Sequence, residues 1–131
     1  VNYKDAYHEG ALRYEVGERS NFILVPMLLN AIKQLNNWGP ERVQEYCREI
    51  GKDTIEKLTE KGFLIEQENW RGAHLFGIRL PANLDLEKIK QSLIRNKVYV
   101  SFRGNAIRVA PNVYNTEKDF QRLFKALTKI H

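Results

Sequence analysis

The stretch that most constrains this chain is FILVPMLLNAIKQLNNW, residues 22–38. Ser20 and Asn21 ahead of it are both N-cap residue types. Pro26 fits an opening helical turn, where its missing N–H needs no partner. Phe22, Ile23, Leu24, Val25, Met27, Leu28 and Leu29 leave no polar side in the first turns, and Ile32, Leu35 and Trp38 carry the apolar character onward. A helix apolar all round has to be buried all round. The rest of a 131-residue chain is too short to wrap such a helix and also build a core of its own. The expectation is that another domain of the same polypeptide, or a partner subunit, covers it. The alternative is a central helix inside a small domain. A membrane span is not the explanation, because the run 22–29 contains Pro26 and is followed by Asn30, far short of the roughly 20 apolar residues that cross a bilayer.

Charge leaves the partner open. The formal net charge is +5, from 21 basic and 16 acidic residues spread along the chain. That excess suits phosphate, nucleic acid or a carboxylate without selecting one. A single cysteine, Cys47, allows no internal disulfide, and a cytoplasmic setting is the default expectation. The first residue is Val1 rather than Met, and no basic segment precedes a cleavable apolar one, so the chain reads as a fragment or a processed product.

Residues 1–19 show no sustained period and read as loop with at most one short strand. After Gly39, Pro40 suits the first position of a helix in which Val43, Cys47, Ile50, Thr54 and Leu58 repeat at helical spacing up to Gly62. Cys47 lies on that apolar stripe and reads as a core residue. Residues 63–65 form a short strand, and 74–80 (HLFGIRL) alternate and stop at Pro81. Leu84, Leu86, Ile89, Leu93 and Ile94 make the apolar side of a short helix, with Asp85 and Glu87 in its first turn. Residues 98–102 and 106–110 are strands joined by Arg103, Gly104 and Asn105. A last helix, 117–129, puts Phe120, Leu123, Phe124, Leu127 and Ile130 on one stripe; Thr116 as N-cap with Asp119 three residues later resembles a capping box. The fold class expected is α+β: a small antiparallel sheet covered on one face by helices.

The hairpin sorts its residues by chemistry. With Gly104 and Asn105 as a two-residue turn, Arg103 faces Ala106, Phe102 faces Ile107, Ser101 faces Arg108 and Val100 faces Val109. Phe102, Ile107, Val100 and Val109 then share the core face. Arg103, Ser101 and Arg108 share the other, beside the small Ala106 and Ala110. The planar fork of arginine matches a carboxylate or phosphate bidentately, which makes Arg108 and Arg103 the best anion-site candidates in the chain. An ordinary solvated sheet face is the competing reading.

Other chemistries find little support. His8, His74, His131 and Cys47 lack the spacing of a metal site. The glycines fit neither the P-loop nor the Rossmann pattern, and Ser20, Ser92 and Ser101 sit in no nucleophile motif. Glu66 and Glu68 read as surface carboxylates. An RNA-binding sheet is compatible with the element order, with Tyr99 and Arg103 on its open face, but VYVSFRG offers fewer exposed aromatics than that module uses.

The run RGNAIRVAPNVYNTEKDFQRLFKAL, residues 103–127, resembles the end of the class V aminotransferases, pyridoxal-phosphate enzymes of fold type I that include cysteine desulfurases, selenocysteine lyases and isopenicillin-N-epimerase-like proteins. Arg108, Tyr114, Asn115, Thr116 and Asp119 carry the likeness. Upstream, RYEVGERSNF and WGPERVQEYCREI are similar to the family's Arg-aromatic-Glu-x-Gly segment and the helix after it, so nearly the whole chain is covered. The resemblance implies that residues 1–38 are an interdomain segment with its connecting helix, and that 39–131 are the C-terminal small domain of a longer, dimeric enzyme.

It also implies that Arg108 binds the α-carboxylate of an amino-acid substrate, with Arg103 supporting the site. The family's phosphate-binding threonine, supplied to the neighbouring subunit, is Glu18 here. Ser20 or the amides of a helix start stand in for it as ligands of the pyridoxal 5'-phosphate. The lysine that holds that cofactor belongs to the large domain, outside this chain, so no catalytic residue is expected here and the chain alone should be inactive. The rival readings are a basic α+β nucleic-acid-binding module and a ligand-free dimerisation domain.

Overall fold

The structure, a computed structural model, describes residues 6–15 and 21–129. The chain divides into two compact units, Val1–Asn37 and Trp38–His131.

In the first unit, Gly10–Tyr14 is a 3₁₀ turn, and the described residues ahead of Glu15 contain no strand. Arg13 lies 5.5 Å and 5.7 Å from the ring centres of Tyr7 and Tyr14. Helix α1 spans Leu24–Trp38. Asn21 caps it: its side-chain oxygen accepts from the Leu24 N–H at 2.7 Å. Pro26 falls in the first turn, as its geometry requires. No residue of α1 is buried, and Phe22, Ile23 and Leu28 are exposed to 86%, 73% and 60%. The buried core includes none of them. Among the described residues no helix is long and apolar enough to cross a membrane.

The second unit begins with α2, Pro40–Glu60, entered through Gly39 at φ 79° with Pro40 in the first turn. Its buried stripe is Cys47, Ile50, Gly51, Thr54 and Leu58. Four strands follow, β1 (Leu64–Ile65), β2 (Phe76–Arg79), β3 (Ser101–Arg103) and β4 (Ala106–Val109), with α3 (Leu86–Arg95) between β2 and β3 and α4 (Glu117–Thr128) last. The sheet order is β1-β2-β4-β3, antiparallel throughout. Strand period explains the two faces. Phe76, Ile78, Ile107 and Val109 are buried, while Gly77, Arg79 and Arg108 are exposed. Ile50, Leu58, Ile89, Leu93, Phe120, Leu123 and Leu127 complete the core from the three helices. Burying each such side chain contributes roughly 1.5–3 kcal/mol, which is why one sheet face is covered and the other left to polar groups.

The strands β1, β2 and β4 are each a residue or more shorter than the sequence suggests, and two further details differ from the expectation. Ile94 is 69% exposed rather than part of the α3 stripe. One residue past Leu93 the helix has turned by about 100°, so Ser92, not Ile94, completes the buried face with Ile89 and Leu93. The β3 ladder begins at Ser101, not at residue 98. The Val98 N–H donates to the Leu93 carbonyl at 2.9 Å and Lys97 takes φ 54°, so Val98 is still engaged in closing α3. Val100 and Val109 therefore do not pair, though Val100 still packs partly buried against the core. The remaining hairpin register is Ser101 with Arg108, Phe102 with Ile107 and Arg103 with Ala106, as the turn predicted. Gly104 alone of the two turn residues has positive φ, 58°, the pattern of a II′ turn.

Candidate functional site: the open face of the sheet

Each functional side chain is placed by strand register. On β4, Arg108 stands between Gly77 of β2 and Ser101 of β3. The Arg108 guanidinium donates to Ser101 Oγ at 3.4 Å, a long bond that steadies the side chain without neutralising it. Gly77 presents nothing on its side, and even a Cβ built there would meet no atom within 4 Å. Arg103, on the edge strand, turns its head back and donates to the Phe102 carbonyl at 2.8 Å. The structure thus joins Arg108 to Ser101 and brings Arg103 onto the same face without contact between the two guanidiniums.

Arg79 was not singled out by the sequence. It lies on β2 beside Ala106, on the same open face as Arg108. The available signal was the alternation of HLFGIRL, which fixes Arg79 opposite in sense to Ile78. What could not be read was that β2 pairs with β4 across the intervening α3 and β3. None of Arg79, Arg103 and Arg108 has a carboxylate partner among the described residues. The strands put no aromatic or lysine on this face: Phe76 and Phe102 pack toward the core.

The segment after Arg108 is held from α2. Tyr46 Oη donates to the Asn115 carbonyl at 2.7 Å, and Cys47 Sγ to the Pro111 carbonyl at 3.6 Å. The Asn115 side chain accepts from the Asn112 N–H at 3.0 Å, closing the turn on itself. Thr116 and Asp119 then form the capping box: the Thr116 N–H donates to Asp119 Oδ2 at 2.9 Å. That backbone bond to Thr116 chiefly holds the Asp119 carboxyl below its ordinary range. Burial pushes the Cys47 thiol up, so the side chain stays protonated and packs as a small apolar group.

A groove of about 350 Å³ opens where residues 98–100 splay from 109–111, lined among others by Tyr99, Tyr114, Val109 and Phe120. Arg108 does not line it. The groove reaches down to α4 between the strands, whereas Arg108 rises from the open face, so the two are separate features.

Ser20 and Glu18 lie outside the described residues. The described open face offers guanidinium groups but neither a lysine nor an aromatic surface for a pyridine ring. By itself it does not make a cofactor cradle.

A four-stranded antiparallel sheet with helices on one face and arginines on the other makes this an α+β unit. No family model matches the chain. It is similar in fold to a NifS-like protein, with a TM-score of 0.65 at 18% identity, over 95% of this chain and 37% of that one. In sequence it is 27% identical over 133 residues to an uncharacterized aminotransferase of Schizosaccharomyces pombe, covering 98% of this chain and 32% of the relative. An uncharacterized aminotransferase of Bacillus subtilis is 26% identical over 119 residues, covering 91% and 31%. The chain therefore spans about a third of the length of the curated relatives it matches. These likenesses support the class V aminotransferase resemblance read from the sequence.

Proposed function

We propose that this chain is the small, substrate-binding part of a pyridoxal-phosphate-dependent class V aminotransferase-like enzyme acting on an amino acid, and that Arg108 takes the substrate α-carboxylate. One observation carries the assignment. Arg108 is an exposed guanidinium without a carboxylate partner among the described residues, standing between Gly77 and Ser101 on the open face of the sheet. An anion can approach that fork from the open side and accept two parallel hydrogen bonds. Ser101 on one flank limits how far the guanidinium swings, and the Tyr46, Cys47 and capping-box contacts fix the segment that follows. Positioning of this kind lowers the barrier by removing orientational freedom before the reaction.

The cofactor, when bound, supplies the electron sink for the reaction. What this chain's residues do is bind and orient the amino acid by its carboxylate, with Arg103 at the sheet edge as a second, supporting cation. On the same reading, Ser20 contributes to the phosphate site, the apolar surface of α1 is covered by the large domain, and the enzyme is a homodimer.

The test is Arg108→Ala in the full-length enzyme. Loss of one partner of a hydrogen-bonded charge pair costs about 2–4 kcal/mol, so kcat/KM should fall by roughly 30- to 1000-fold. The change should lie mainly in KM, with the cofactor absorbance intact. An unchanged KM would remove Arg108 from the substrate site.

A further inference from the structure

Two arginines, not one, stand over the open part of the sheet. In the block where β2 pairs with β4, Gly77 faces Arg108 and Arg79 faces Ala106. The arginines take one diagonal and the two smallest side chains the other. Diagonal neighbours across an antiparallel pair have Cα atoms about 7–8 Å apart. Between the two residues the sheet surface carries only the backbone of Gly77 and the Ala106 methyl. Among the described residues Arg79 has neither a carboxylate nor a hydrogen-bond acceptor for its charge. Arg103 differs, since its head is occupied by the Phe102 carbonyl.

We infer that Arg79 is a specificity residue that takes a second acidic group on the substrate, so that the amino acid bound here is a dicarboxylic one, its α-carboxylate on Arg108 and its side-chain carboxylate on Arg79. The inference rests on the Arg108 assignment above. It goes further in naming the substrate class. A short diacid bridges heads on Cα atoms at this diagonal separation, and the glycine–alanine diagonal leaves room for its methylene chain to lie across the sheet. An apolar amino acid would leave Arg79 unpaired beside it, which is unfavourable once the face is shielded from water.

The test compares two inert probes, glutarate and butyrate, by calorimetric titration of the full-length, cofactor-loaded protein. Glutarate should bind about tenfold more tightly than butyrate. Arg79→Gln should erase that advantage while leaving butyrate affinity unchanged, and Arg79→Lys should retain part of it. Arg108→Gln should weaken both probes. An absent glutarate preference, or an Arg79→Gln variant that retains it or weakens both probes alike, overturns the Arg79 role and leaves Arg108 standing. If Arg108→Gln alters neither probe, the Arg108 assignment fails, and the bridging geometry with it.

Discussion

Gly51 decides how closely α2 and α4 approach, and replacing it by alanine sets two effects of known size against each other. A Cβ at position 51 would lie 3.0 Å and 3.1 Å from the Cζ and Cε1 atoms of Phe120, and 3.4 Å from the Ile55 Cδ1. Phe120 is 4% exposed and packed inside the core. In a helix interior, Gly→Ala alone is favourable by about 0.8–1.0 kcal/mol. Overpacking a tight core costs about 1–3 kcal/mol. The second effect should win, giving net destabilisation of up to about 2 kcal/mol in chemical denaturation at unchanged m. The control is Phe120→Leu, which withdraws the ring. In that background Gly51→Ala should become stabilising by up to about 1 kcal/mol, so that the double-mutant cycle shows strong coupling. A Gly51→Ala variant that is stabilised on its own would refute the packing argument. The site has a stake in the result, because α2 carries Tyr46 and Cys47, which hold the segment after Arg108.

Two further predictions concern that segment. Tyr46→Phe leaves the Asn115 carbonyl without its donor and should cost about 0.5–1.5 kcal/mol, with faster amide exchange confined to residues 111–116 as the local readout. Asp119→Asn should lower stability at neutral pH by about 0.3–1 kcal/mol, near the low end because the carboxylate is partly exposed. The folded carboxyl titrates below its ordinary value. Its contribution is therefore fully present above the unfolded value of about 3.9 and lost as pH falls through the lower folded one. Wild-type and Asp119→Asn denaturation curves should draw together as the pH falls below the ordinary carboxyl value, and a gap that does not narrow would contradict the capping role.

Much of this architecture was legible in residue order because local chemistry agreed with the global fold. The II′-type turn at Gly104, the pairing of Arg108 with Ser101, the buried Cys47 and the capping box at Thr116 each follow from patterns a few residues long. Errors arose where distant parts of the chain decide. Ile94 is apolar and adjacent to the stripe, but the packing of α3 selects Ser92 instead. Residues 98–100 have the composition of a strand, yet the Val98 N–H is taken by the Leu93 carbonyl at the end of α3. Arg79 was visible as an outward residue of a strand, but its nearness to Arg108 depends on β2 lying beside β4 rather than beside β3, a fact of topology that no local pattern encodes.

The central claim is that Arg108 grips a carboxylate. The most direct measurement is a crystal structure of the full-length, cofactor-loaded protein with an amino-acid substrate analogue bound. The account predicts the analogue's α-carboxylate in bidentate contact with the Arg108 guanidinium, at the roughly 2.7–2.9 Å of charge-assisted hydrogen bonds, over the backbone of Gly77. An α-carboxylate held by other residues, with Arg108 still directed only at Ser101, would contradict it.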